Sequence, residues 1–317
     1  MTPRTARPLR LLAIVATVAI LGAVGATAAG AATAGKTSRT TARATAPTTR
    51  TTTAPASRAD RPAAPRAMWV WDTSDPAAVV TLATSRGIGQ LYAAVPPSVG
   101  SSPQLAQLRR LVELADAAGL RVDALGGDPG WVDNPTWVVN NWLKPALATG
   151  LFTGVHVDIE PYTTSAWTTN RAAVVKRYLS TLDTLRTAAG AAPIEADIPF
   201  WYDGVAANGS TLDRETMRRT AAVTVMAYRN LADGVDGSIA LSANEIRAGG
   251  ELGRPVRVGQ ETTYLGTDPT EVKQTFFGQS LTQMESQLSR ITAAYAGSAS
   301  FAGLAIHDAQ GYAAVTG

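Results

Sequence analysis

Eight short runs rich in β-branched and aromatic residues recur along the chain, at 67–72, 90–96, 121–128, 154–161, 193–201, 222–229, 256–263 and 301–308. Stretches with helical spacing lie between them. Positions 104–118 place Leu105, Leu108, Leu111, Val112 and Leu114 near one face, and 172–189 and 281–295 read the same way. Gly119, Gly150 and Gly190 stand where a helix C-cap glycine belongs. Strands alternating with helices imply a parallel sheet, because each return to the same end needs a crossover. Eight such units predict closure into a single (β/α)8 barrel, an α/β fold. An open doubly wound sheet is the alternative, but no G-x-G-x-x-G follows the first run.

Composition sets where the barrel begins. Arg4, Arg7 and Arg10 precede an apolar run at 11–24, and A-x-A patterns follow at 26–28 and 29–31. This predicts a signal peptide over 1–31, removed rather than kept as an anchor, since the run falls short of the ~20 residues of a span. Residues 32–66 are mostly Thr, Ala, Pro and Arg and cannot bury enough apolar surface to offset their ordering entropy. They are expected to form a disordered linker, either a plain spacer or a basic segment associated with an anionic cell wall. The barrel is then 67–317, secreted and extracellular or wall-associated, and expected to be a monomer. The chain has no cysteine, which removes disulfides and thiolate chemistry without arguing against export. Residues 1–66 carry ten of the 28 Lys/Arg and one of the 25 Asp/Glu, so the remainder has a net charge of −6. A nucleic-acid-binding domain would be basic, and that class is excluded.

In such barrels chemistry sits at the carboxy-terminal ends of the strands. Those ends carry Trp71, Asp72, Asp128, Asp158, Glu160, Asp197, Trp201, Tyr228, Arg229, Glu261, His307 and Asp308. Asp72, Asp128 and Asp308 equally suit helix N-caps. The fourth run, Gly154-Val155-His156-Val157-Asp158-Ile159-Glu160-Pro161, is the most telling. Alternation puts His156, Asp158 and Glu160 on one face and Val155, Val157 and Ile159 on the other. The apolar face suits the outer helices, so the polar face looks inward. Neighbouring carboxylates raise one another's pKa, which helps keep one protonated as a general acid. A buried structural network is the alternative.

The same strand resembles glycoside hydrolase family 18, the chitinase and endo-N-acetylglucosaminidase group, whose fourth strand carries D-x-x-D-x-D-x-E. Here that motif falls on Thr153, His156, Asp158 and Glu160, so the last two carboxylates match and the first two do not. Met226-Ala227-Tyr228-Arg229 resembles the family's M-x-Y-D segment, with Arg229 in place of the aspartate. The family's eighth-strand tryptophan has no counterpart in Gly303-Leu304-Ala305-Ile306-His307-Asp308. The resemblance implies that Glu160 is the general acid. It implies that Asp158 orients a substrate N-acetyl group acting as nucleophile, and that Tyr228 hydrogen-bonds that group. His156 is then the supporting partner of Asp158, lowering its pKa if charged. Trp71, Asp128, Asp197, Trp201, Arg229, Glu261 and His307 are candidate contacts to a carbohydrate. Trp71 and Trp201 present faces for sugar rings, whereas Trp69, Trp137 and Trp142 suit core packing.

Three other chemistries stay open at this point. The chain also resembles retaining glycosidases with an acid/base glutamate after strand four and a nucleophile glutamate after strand seven, here Glu160 and Glu261, although Ile159 replaces the usual preceding asparagine. A barrel lacking two motif carboxylates could instead bind a glycan without cleaving it. Metal-dependent hydrolysis is disfavoured by the histidine count: there are two, His156 and His307, on opposite strands. The reading therefore calls for no metal and no cofactor.

Overall fold

A computed structural model describes residues 66–317. The expectations for a signal peptide over 1–31 and a linker from 32 lie outside the described residues, except at Arg66. That residue, assigned to the linker by its charge, opens the first strand. Its guanidinium is paired with Glu285 at 2.7 and 2.8 Å, which lets a cation start a barrel strand.

The eight barrel strands are β1 (Arg66–Val70), β2 (Ile88–Ala94), β3 (Arg121–Gly126), β4 (Val155–Val157), β5 (Ile194–Pro199), β6 (Ala222–Met226), β7 (Val256–Glu261) and β8 (Phe301–His307). Each pairs in parallel with its chain neighbours, and β8 closes on β1 with Ala305 opposite Ala67 and Ile306 opposite Met68. All eight expected runs are strands, and the open sheet is excluded. The three expected helices appear at Leu105–Ala117, Arg171–Ala189 and Leu281–Tyr295. Gly119 and Gly190 follow the first two with φ of +73° and +63°, positive values that glycine adopts without a Cβ penalty.

Alternation divides the side chains between two environments. Met68, Val70, Val155, Val157, Ile159, Val223, Val225 and Ile306 join the large apolar core shared with the helices. Inside the barrel the apolar cluster is small: Ala67, Trp69, Tyr92, Leu125 and Ala305. The rest of the interior is polar.

Strand β4 is only three residues long. Its path nevertheless continues outward, for the Asp158 N–H still bonds the Gly126 carbonyl at 3.0 Å. Pro161 then opens a short 3-10 turn, Pro161–Thr163, having no N–H to extend the ladder. A Cβ on Gly127 would overlap the Asp158 carbonyl, so glycine there permits the close approach of the β3 end to this segment.

Candidate active site

Two layers of polar side chains fill the barrel. The lower one is made of Gln90, Asp123, His156, Glu195, Asp197 and Arg257, all at most 9% exposed. Gln90 Nε2 donates to Asp123 Oδ2 at 2.5 Å while its Oε1 accepts from Arg257 at 2.6 Å. His156 Nε2 lies 2.8 Å from Asp197 Oδ1, and Trp69 Nε1 donates to Asp197 Oδ2 at 3.0 Å. The His156 ring stacks on Tyr92 with centroids 3.6 Å apart. His156 Nδ1 is 3.7 Å from Glu195 Oε2, too long for a hydrogen bond, so that link is charge attraction.

The electrostatics of this layer follow. Burial would lower the His156 pKa, but Asp197 and then Glu195 raise it to about 10, so the ring is an imidazolium at neutral pH. Burial would raise Glu195, but His156, Arg257 and Gln90 bring it down to about 2. The expected pairing of His156 with Asp158 is therefore replaced. Strand β5 sets Glu195 directly opposite His156 in register, with Asp197 two residues further up the same face. Asp158 lies one step further along the β4 segment than His156 does. Asp197, expected to meet substrate, is instead 2% exposed and holds Trp69 and His156.

The upper layer is the mouth. Asp158 is half-buried, and its Oδ1 is enclosed with no hydrogen-bond partner. Burial, then the Glu160 and Asp197 carboxylates, push it well above the ordinary carboxylate range; His307 and His156 oppose this without prevailing. Glu160 is 5% exposed and accepts a short hydrogen bond from the Tyr162 hydroxyl. Burial raises its pKa too, against the pull of Tyr162. The Glu160 carboxylate disfavours charge on Asp158, so the two together retain a proton. Tyr228 is buried at the same mouth, its ring 6.2 Å from His307.

Other candidates have different occupations. Glu261 Oε1 accepts from the Thr262 and Thr263 N–H groups and the Thr263 hydroxyl at 2.7–2.8 Å, and its Oε2 lies 2.8 Å from His307 Nδ1. Its pKa is lowered: burial would raise it, but His307 and Thr263 outweigh burial. Arg229 turns aside to Asp236 at 2.7 and 2.9 Å. Asp128 and Asp308 cap helical turns by accepting from Gly130 and Gly311 N–H groups, and Asp72 accepts from the Ser74 N–H. Trp201 packs 5.1 Å from Tyr162 and from Tyr202, in an aromatic cluster behind Glu160.

A cleft of about 510 Å³ opens beside this mouth, lined by Trp71, Trp131, Trp137, Trp142, Asp128 and Gly127. Asp158 and Glu160 are not in its lining; Gly126 and Gly127 join it to them through the bond to Asp158 and the close approach just described. Trp142 is core, as its apolar setting suggests, at 1% exposed. Trp137 is not: it is 41% exposed, because the turn capped by Asn134 delivers it to the cleft wall. Trp69 is buried, as expected, but inside the barrel and bonded to Asp197. The residues that sequence reasoning missed are Tyr162, Gln90, Asp123, Glu195 and Arg257. For the last four the signal was available, since they occupy inward positions on alternating strands.

No protein-family model and no curated protein matches the chain. Several solved structures are similar to it. One is the spore cortex-lytic enzyme SleL of Bacillus megaterium QM B1551, at 12% identity over 79% of this chain and 72% of that one, with a TM-score of 0.49. Another is SleL of Bacillus cereus, at 9% over 63% and 51%, with a TM-score of 0.45. A third is a GH18 chitinase from Cycas revoluta in complex with (GlcNAc)4, at 13% over 63% and 69%, with a TM-score of 0.44. The chain spans about half of the Bacillus cereus structure's length. At such identity and overlap these are likenesses of fold, and the roles of individual residues rest on the geometry above.

Proposed function

We propose that the chain is a secreted glycoside hydrolase of the family 18 type, acting on a glycan that carries N-acetyl groups. The observation that carries this reading is the pair at the mouth: a buried Glu160 with a raised pKa beside Asp158, whose enclosed Oδ1 has no partner. A buried polar atom without a partner costs free energy unless a ligand completes it. In this reading an acetamido N–H is the donor that completes it.

In this mechanism Glu160 donates its proton to the glycosidic oxygen as the C1–O bond breaks. The substrate's acetamido carbonyl oxygen attacks C1, giving a cyclic oxazolinium-type intermediate. In the productive state the proton held by the pair sits on Glu160, so Asp158 is the carboxylate that accepts the acetamido N–H and stabilises the developing positive charge, and Tyr228 hydrogen-bonds the same group. Glu160, now a carboxylate, takes a proton from water as the water opens the intermediate. The aromatic cleft holds neighbouring sugar rings by stacking on Trp71 and Trp137. Export follows from the amino-terminal pattern, and wall association from the basic segment after it. Among the described residues no helix is long and apolar enough to cross a membrane.

The alternative use of Glu261 as nucleophile is less well supported. Three donors occupy its Oε1 and His307 occupies its Oε2, leaving neither oxygen free to attack. Assays on N-acetylated and non-acetylated glycans test the proposal. Glu160→Gln is expected to lose about 10²–10⁴-fold in rate, and Glu261→Gln less than about tenfold. Full activity in Glu160→Gln on a substrate that the wild type cleaves would overturn it.

A further inference from the structure

Trp71 follows β1 at the mouth and is 37% exposed, one wall of the aromatic cleft. Its indole N–H donates to His307 Nε2 at 2.8 Å. On the other side of the imidazole, Nδ1 lies 2.8 Å from Glu261 Oε2. Glu261 is itself held by Thr262 and Thr263, so it cannot follow a moving histidine. These contacts form one string, Glu261–His307–Trp71, and it has a defined proton state. An indole nitrogen only donates, so Nε2 must be bare; a carboxylate only accepts, so Nδ1 must carry the hydrogen. Glu261 thus selects the tautomer that lets His307 receive Trp71.

We propose that His307 is a proton-operated latch on Trp71. Neutral His307 holds the indole against the cleft edge, and a proton taken up on Nε2 releases it. The closed state is the one whose contacts the structure shows, and it belongs to the alkaline side of the His307 midpoint; below that midpoint the ring is the cation that acts on Glu261 and Asp158. In the imidazolium both ring nitrogens donate, and the indole N–H then faces another N–H. The groups around His307 set the balance. Glu261 on β7, Asp308 next in the chain and Asp158 on the β4 segment all favour its charge; burial alone would lower its pKa, and together they lift it to about 9. Glu160 faces it too, while the rings of Trp69, Trp71 and Tyr228 lie 5.5–6.2 Å away. The Trp71 N–H is the opposing influence, because it binds the neutral form alone. The closed latch persists above the His307 midpoint and is lost as pH falls through it. By reciprocity, Trp71 must lower the His307 midpoint by the same free energy with which neutral His307 holds Trp71.

That Trp71 presents its face to a sugar ring rests on the proposed function; the latch itself does not, and it can be observed without substrate. The chain has two histidines, His156 and His307, so an imidazole nitrogen NMR titration of the full chain contains two pairs of ring signals, assigned with His307→Gln. Neutral His307 is expected as the Nδ1–H tautomer. Trp71→Phe is expected to raise its midpoint by about one pH unit, the worth of an ordinary hydrogen bond, without moving His156. In the wild type the Trp71 indole N–H signal shifts with the His307 titration; in His307→Gln, whose amide oxygen still accepts, that signal loses its pH dependence. An unchanged His307 midpoint in Trp71→Phe, or an indole signal indifferent to the titration, overturns the latch. In the glycan arm, tetra-N-acetylchitotetraose binds the Glu160→Gln protein about five-fold more weakly below the midpoint than above it. Absence of binding at every pH, with the NMR linkage intact, would remove the glycan reading and leave the latch.

Discussion

The floor and the mouth of the barrel are built from much the same residue types, and they differ in how their carboxyls are partnered. In the floor each carboxylate has donors or a cation against it: Glu195 has His156, Tyr92 and Gln90, Asp197 has Trp69 and His156, and Asp123 has Gln90 and Thr153. In the mouth, Asp158 leaves an enclosed oxygen bare. Satisfied buried charges stiffen a structure and have nothing left to offer a ligand; an unsatisfied one is costly alone and available. On the proposed reading, polar groups in this barrel therefore have two uses, scaffold below and chemistry above. Substitutions in the two layers should separate stability from activity.

The largest effect should come from the floor. His156→Leu removes the cation from between Glu195 and Asp197, taking from Asp197 its paired charge and leaving Glu195 with Arg257 and its donors Gln90 and Tyr92. Breaking a buried pair on one side costs about 3–5 kcal/mol, a fall in Tm of roughly 6–20 °C for a domain of this size. Thermal unfolding followed by circular dichroism checks this. A Tm within about two degrees of wild type would mean that the floor is not held by His156.

Asp158→Asn should do the reverse. An amide cannot stabilise developing positive charge, so turnover of an N-acetylated substrate should fall by about 10²–10³-fold, with the Tm unchanged or slightly raised. A loss of stability with activity retained would place Asp158 in the scaffold and erase the distinction between the layers.

How much of this was readable beforehand follows from the same distinction. The eight strands were legible because each outward face is apolar and each interruption carries turn or helix residues. Asp158 and Glu160 were legible because β4 alternates cleanly. Glu195 and Arg257 were equally inward-facing, but each lies near the start of its strand, below the ends where chemistry was sought. The partner of His156 was not legible at all. Sequence spacing points along β4 to Asp158, whereas Asp197 becomes its neighbour only through the lateral register of β5. Tyr162 depends on the turn after Pro161, whose direction no alternation rule supplies.

The pH dependence of stability sharpens the comparison further. Glu195 falls from an ordinary 4.5 to about 2 in the folded protein, so its contribution is full above about 4.5 and is lost as pH drops toward 2. His156 rises from 6.5 to about 10, so its contribution is full below about 6.5 and is lost as pH climbs toward 10. The floor should therefore be strongest between these limits, with Tm highest near pH 4.5–6.5 and declining on the alkaline side. His156→Gln should flatten that alkaline decline, and a decline as steep as the wild type's would assign it to other groups.

The smallest expected effect tests whether an unpartnered buried carboxyl is in itself a mark of function. Glu245, on the helix Ser238–Leu252, is fully buried, and both of its oxygens lack partners, as does Oδ1 of the buried Asp213. Burial, with help from Asp203 and Asp213, raises its pKa to about 9. It lies on a helix outside the barrel rather than at the mouth. The folded state holds a proton on Glu245 that the unfolded chain releases near 4.5. Its contribution to stability is thus present below about 4.5 and is lost as pH rises through about 9. Glu245→Met, similar in length and free of charge, should stabilise the protein by about 1–2 kcal/mol at pH 8, and by less at pH 5. Turnover should not change, because no atom of Glu245 enters the mouth chemistry. If Glu245→Met instead lost activity while gaining stability, as expected for a site residue, an orphaned carboxyl would signal function wherever it occurs in this fold. If only Asp158 behaves so, position at the strand ends is the second requirement, and burial without a partner is not sufficient.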